Sequence, residues 1–342
     1  MTVTALDPDL IRTFPFPFPE ETYRYSTNVQ PAGKPEETPV GRWGETVIHV
    51  DSEYENELAA RERILAADPS RLQVLPHMKL SAWDAMLALM QELAVARPEQ
   101  MSLVRTGTSG PLELLWTNRL LGIEQRFVYG DESTLPQEPL GYIGSQVQED
   151  IVLLDQREGQ LYADAGVVTF AADWSFGFDV GMSFLEIHGP VPRVRQTGVI
   201  TRAQKFIMRL QAGEPYRRTN WSMTVGRRLD VSTDTYPEWG PDRGRIQTVD
   251  DETFGAEVHL RVEVQHLIRL PQSGSVMFLI RTYMLPLEAI AQVEPWRSRF
   301  ESVLAELPED MADYKGFLSY RDRAVEWLRA AAPAAAISES RR

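Results

Sequence analysis

Residues 257–270 alternate with a period of two over a stretch too long and too regular for a helix. The even positions run Val258, Leu260, Val262, Val264, His266, Ile268; the odd ones are mostly polar, among them His259, Arg261, Glu263 and Gln265. Successive strand side chains point to opposite faces, so this is a long strand with one apolar and one polar face. Pro271-Gln272-Ser273-Gly274 supplies turn residues, and Ser275–Met284 returns with Val276, Phe278, Ile280 and Thr282 on one side. A long antiparallel hairpin needs flanking strands and a layer of helices to bury it.

Both are expected from the rest of the chain. Ile151–Leu154 and Leu161–Phe170 read as strands joined by the turn Arg157-Glu158-Gly159. Met182–Ile187 reads as a short apolar strand that ends on His188, because Gly189-Pro190-Val191-Pro192 cannot continue a ladder. Helices are expected over 53–66, over 81–96 with Ser81 as cap, over 111–121, over 201–212 with Thr201 as cap, and over 287–305 and 318–331. Residues 134–145 and 241–255 read as irregular. The expected class is α+β: helices first, an antiparallel sheet in the middle, helices last. Phe14-Pro15-Phe16-Pro17-Phe18-Pro19 cannot be helical and reads as an extended arm packed across apolar surface. The organisation is then an arm over 1–45 and one domain over 46–331. Its helical part covers 46–148, its sheet part 150–285 and its C-terminal helices 287–331. A tail, 332–342, is expected to be disordered.

Charge and cysteine content remove several functions. The net charge of −14 lacks the basic footprint of a nucleic-acid binder and disfavours an anionic membrane surface. There is no cysteine, so thiolate nucleophiles, cysteine-ligated zinc, iron–sulfur clusters and thiolate haem ligation are excluded. A transition metal would have to use carboxylates or His49, His77, His188, His259 and His266. No run approaches a membrane span and no signal peptide is evident, so a cytoplasmic protein is expected. Phosphate-binding loops, dinucleotide fingerprints, zinc helices and serine-hydrolase elbows are missing from the sequence.

The remaining candidates each have two readings. His188, beside aromatic and apolar residues and followed by a rigid turn, is either a ligand or a histidine satisfied by a nearby carbonyl. His266 on the apolar strand face is either core or pocket. Arg261, Glu263 and Gln265 form either a solvated face or a polar pocket wall. Arg217-Arg218, beside Asn220-Trp221, are either a surface pair or a site for an anion such as a haem propionate or for polarising dioxygen. Tyr236, in Tyr236-Pro237-Glu238-Trp239, adds another aromatic ring to this region.

Phe184-Leu-Glu-Ile-His188-Gly-Pro-Val-Pro192, Arg218-Thr-Asn-Trp221, Leu260–Gly274, Phe278-Leu-Ile-Arg-Thr-Tyr283 and Tyr314-Lys-Gly316 together resemble the haem-dependent oxidative N-demethylases, in particular the haem-carrying α subunit of the dimethylamine monooxygenases. The resemblance covers most of the chain. It implies a PAS-like antiparallel sheet with flanking helices and a b-type haem. It implies NADPH- and O2-driven removal of a methyl group from a small secondary amine such as dimethylamine, releasing formaldehyde. His188 is the position carried over as iron ligand and Arg218 as a group on the opposite side. Trp221, Tyr236 and Glu263 are candidates to hold the substrate ammonium. NADPH, FMN and a 2Fe-2S cluster are expected on a separate reductase, with a folate-binding subunit as a further partner. The competing reading is a haem-based gas or redox sensor on the same scaffold.

Overall fold

The computed structural model describes residues 8–193 and 197–331. The tail over 332–342 lies outside the described residues. The strands in chain order are β1 (Gln30–Pro31), β2 (Glu36–Thr38), β3 (Gly41–Trp43), β4 (Leu72–Val74), β5 (Met101–Arg105), β6 (Glu113–Asn118), β7 (Ile123–Val128), β8 (Asp150–Arg157), β9 (Gln160–Val167), β10 (Tyr216–Val225), β11 (Val258–Arg269) and β12 (Val276–Pro286). Seven of them form one sheet in the order β1-β10-β11-β12-β8-β9-β4, every neighbour antiparallel. The expected hairpin is β11–β12 at its centre, turned by Gly274 at φ 72°. Helices and antiparallel sheet together make the fold α+β, as expected.

The two faces of this sheet carry different layers. Leu260, Val262 and Leu285 meet the arm and the C-terminal helices Glu294–Glu306 and Leu318–Ala330. On the same face, Ile151, Leu153, Met277 and Leu279 meet the helix Lys79–Ala96 and its neighbours. That helix buries Ala82, Met86, Leu89, Met90 and Leu93, the stripe its three- and four-residue spacing demands. The other face carries Val152, Leu154, Leu161, Leu267 and Val276, packed with Ile207, Leu210 and Phe176.

Several local expectations are corrected. Residues 113–118 are strand β6, the middle of a three-stranded sheet with β5 and β7; Leu114, Trp116 and Asn118 are buried in alternation, a period of two. Ser81 lies inside its helix and bonds Ser275 Oγ at 2.7 Å, while the helix starts at Lys79. The 201–212 helix is Val199–Ile207, capped by Gly198 and not by Thr201. The helical stretch 287–305 is two helices, Leu287–Ala291 and Glu294–Glu306, broken where Pro295 opens the second. Within 134–145 lies the helix Pro139–Gly144, and within 241–255 lie Asp242–Arg245 and the start of Asp251–Glu257.

The arm packs as expected. Phe16 stacks on Trp296 at 4.9 Å between ring centroids, and Phe18 on Phe300 at 5.4 Å. Phe14 and Phe18 are buried. Among the described residues no helix is long and apolar enough to cross a membrane.

Candidate functional site beside His188

His188 does not end a strand. Phe184–Ile187 is a single helical turn, and His188 is its C-terminal cap. The cause is a capping box: Ser183 Oγ accepts from the Glu186 amide at 3.3 Å, and the Glu186 carboxylate accepts from the Ser183 amide at 2.9 Å. The turn hangs from β9, where the Ala163 amide donates to Met182 O at 3.0 Å and the Gly181 amide to Ala163 O at 2.8 Å.

The imidazole Nδ1 donates to the Phe184 carbonyl at 2.8 Å, and the Phe184 ring lies 4.2 Å from it, centroid to centroid. With the proton held on Nδ1, the lone pair is on Nε2. Burial of the ring pushes its pKa down to about 4; the bond to Phe184 opposes this, and the nearby Arg218 guanidinium adds to it. The ring is therefore neutral at pH 7, the form a ligand needs. The carbonyl bond satisfies Nδ1 and leaves both readings of this histidine open, since no hydrogen bond of Nε2 is seen among the described residues.

Arg218, Asn220, Glu263 and Gln265 share the sheet face that carries Leu267, because Arg218 pairs with Gln265 and Asn220 with Glu263 across β10–β11. They form a chain of hydrogen bonds. Arg218 Nη1 donates to Gln265 Oε1 at 2.8 Å, Gln265 Nε2 to Glu263 Oε2 at 2.8 Å, and Asn220 Nδ2 to the same Oε2 at 3.2 Å. Arg218 Nε also donates to Thr27 O of the arm at 3.0 Å. Oε1 of Glu263 lies 4.0 Å from Arg261 Nε. Arg261 itself is fully buried, donating to Leu229 O and Phe170 O. The odd face of β11 is thus a buried polar wall and not a solvated one. Beyond the His188 turn, Arg193 clamps Asp310 at 2.8 and 2.9 Å, while Tyr25 Oη donates to Pro192 O at 2.9 Å.

The other candidates fall elsewhere. His266 lies on the opposite face of the sheet, paired with Arg217 and Leu279. Neither of its nitrogens has a hydrogen-bond partner among the described residues, and burial with Arg217 beside it lowers its pKa to about 3. It is buried on the core side of the sheet. Arg217 is a structural cation, donating to Gly44 O at 2.8 Å and lying 4.6 Å over the Trp43 ring. Trp221 also points away from Glu263, packing on Phe18 at 5.0 Å and carrying the Lys315 ammonium 4.7 Å from its ring centre. A cation from the chain itself already takes that ring. Tyr236 is half-exposed and packs on Trp239 at 5.0 Å, with no described contact to the relay. His77, Asp155 and Asp164 converge within 4.8 Å, but Arg157 bonds both carboxylates, so a cation of the chain itself already sits there. His259 also donates from Nδ1 to a carbonyl, Glu257 O at 2.8 Å, but it is 4% exposed, beside Arg227 at the other end of β11.

A neutral imidazole with a fixed tautomer is a chemically competent ligand for a transition metal, and it lies on the side of the sheet that carries one guanidinium, one carboxylate and amides. The family described as "haem-dependent oxidative N-demethylase, alpha subunit-like" matches residues 41–325. The chain belongs to that family.

Proposed function

We propose that the chain binds a b-type haem through His188 Nε2 and is the catalytic subunit of an oxidative N-demethylase acting on a small secondary amine such as dimethylamine. The single observation that carries the reading is the His188 ring, neutral and anchored through Nδ1, on the same side of the sheet as Arg218 and Glu263. The haem would supply the reduction of O2 at iron. One oxygen atom enters the N-methyl carbon and the other leaves as water, with two electrons coming from NADPH; the products are the demethylated amine and formaldehyde.

The chain's own residues do the rest. Arg218, desolvated but cationic, holds positive charge where negative charge develops during oxygen reduction. Glu263, fixed through Oε2 by two amide donors, keeps Oε1 as the acceptor for the amine N–H. Trp221 belongs to the wall behind Lys315, and Tyr236 has no part in the reading. Electrons come from a separate flavin (FMN) and 2Fe-2S reductase, because the chain has no cysteine for a cluster. A folate-binding subunit would take the formaldehyde, and the setting is the cytoplasm, where NADPH is available.

The test is haem loading followed by formaldehyde assay with dimethylamine, O2 and a reductase. Wild type should hold one haem per chain and release formaldehyde. His188→Ala should lose stoichiometric haem or change its ferric spectrum; full haem with an unaltered spectrum would refute the ligand. Haem without formaldehyde would favour the sensor reading.

A further inference from the structure

Lys315 joins the site from the C-terminal layer. It follows the helix Glu309–Tyr314, and its amide bonds Met311 O at 3.0 Å. The next residue, Gly316, has φ 75°, and a Cβ there would sit 2.1 Å from Arg243 Nη2. Arg243 is itself held by Asp173 at 2.8 Å and by the Trp239 ring at 4.6 Å. Buried Phe317 closes the turn through Ala312 O at 3.1 Å. Only glycine fits this corner, so the direction of the lysine side chain is built into the backbone. Beyond its pairing with β1, the outer edge of β10 meets no further strand among the described residues; Asn28 bonds Thr219 O, Tyr320 bonds Met223 O, and the lysine reaches the carbonyl between them. Its Nζ donates to Trp221 O and to Asn220 Oδ1 at 3.4 Å, with the Trp221 ring beneath.

We infer that Lys315 is a positioning residue: its ammonium, seated on Trp221 and joined to Glu263 through Asn220, holds that carboxylate in the orientation in which Oε1 meets the amine. The inference rests on the role given to Glu263 above. It also explains why Trp221 is not the substrate's cation seat, since the chain supplies its own ammonium there.

The charges around Nζ come from each neighbouring element. Glu263 faces it from β11 and favours the ammonium; Arg218 on β10 disfavours it. Tyr314 precedes it, influenced by Glu263, Asp173, Tyr25 and Arg218, and the Arg243–Asp173 pair lies under Gly316. Asp310 on the preceding helix is taken by Arg193. Burial outweighs the rest and lowers the lysine pKa to about 8. Below that pH the ammonium is present and the relay is complete.

The experiment reads tryptophan fluorescence of the whole chain from about pH 6.5 to 9.5, because loss of the charge over Trp221 changes that ring's emission. Wild type should show a step near pH 8 that disappears in Lys315→Met and in Trp221→Phe. Glu263→Gln should move the midpoint to lower pH by on the order of one unit, since the carboxylate favours the charged form. Absence of the step in wild type, its persistence in Lys315→Met, or an unmoved midpoint in Glu263→Gln overturns the inference. The last variant decides the matter even if Lys315→Met does not fold. Where formaldehyde is produced, Lys315→Met should raise KM for dimethylamine about tenfold with kcat little changed, and Lys315→Arg should restore it. Failure of demethylation with the step intact would overturn the functional reading alone.

Discussion

Glu149 shows how the protein tolerates charge in its interior. It is 1% exposed, and neither carboxylate oxygen has a hydrogen-bond partner among the described residues. Burial outweighs the attraction of Arg281 and Arg61 and pushes its pKa up to about 7. The sign of the effect on stability follows. With a folded pKa above the unfolded one, the folded state binds more protons, so this contribution is full below about pH 4.5 and is lost as pH rises to about 7. Glu149→Gln should therefore gain about 1–3 kcal/mol over wild type at pH 8 and much less at pH 5, measured by urea unfolding at both pH values. Arg218→Gln should keep haem and lose activity by about 10²–10³, the loss expected when one preorganised donor goes; unchanged turnover would remove Arg218 from the reaction. At this scale the sequence singles out His188, Arg218 and Glu263, and the structure places them on one side of the sheet. Lys315 is not singled out, because its signal is only a Tyr-Lys-Gly turn, and its reach to Asn220 depends on which strand lies at the edge.

The elements were legible where one periodicity dominated. The β11–β12 hairpin matches its pattern nearly residue for residue. The turn at 184–187 was misread because four apolar or bulky residues in a row resemble a strand, while the decisive signal, Ser183 with Glu186 three residues on, was present. Leu114 and Trp116 likewise carried a period of two inside a segment taken for a helix. The polar relay could not be seen in advance, since it needs the register Arg218 to Gln265 and Asn220 to Glu263. The arm is the element most open to test. Phe18 is buried between Trp221 and Phe300, so Phe18→Ala should cost about 3–5 kcal/mol in urea unfolding. A loss under about 1 kcal/mol would mean that the arm rests on the core without contributing to it.

At the scale of the whole molecule, the class α+β is readable, but the order of helices, then sheet, then helices is not what the chain adopts: β4 to β7 lie within 46–148, the stretch expected to be helical. What was hidden is that the N- and C-terminal layers share one face, leaving the other to the site. The net charge of −14 would favour a basic surface on the proposed reductase, and such attraction weakens with salt. The isolated chain should not consume NADPH in the presence of amine, and should do so when a flavin/iron–sulfur reductase is added, more slowly as salt rises. Steady amine-dependent consumption by the chain alone would mean that electrons enter another way.

The arm's resting place has a consequence for biosynthesis. The Phe18 carbonyl accepts from Arg299, 281 residues later, and the Tyr23 amide donates to Glu306, 283 residues later. Phe14 and Phe16 wait for Trp296, and Phe18, which Trp221 reaches sooner, waits for Phe300 before its packing is complete. At about 5–20 residues per second, that wait is on the order of 15–60 s. During it the arm is an apolar, proline-stiffened segment without its full set of partners, a ready ligand for holding chaperones, and its own resistance to proteolysis waits on that docking.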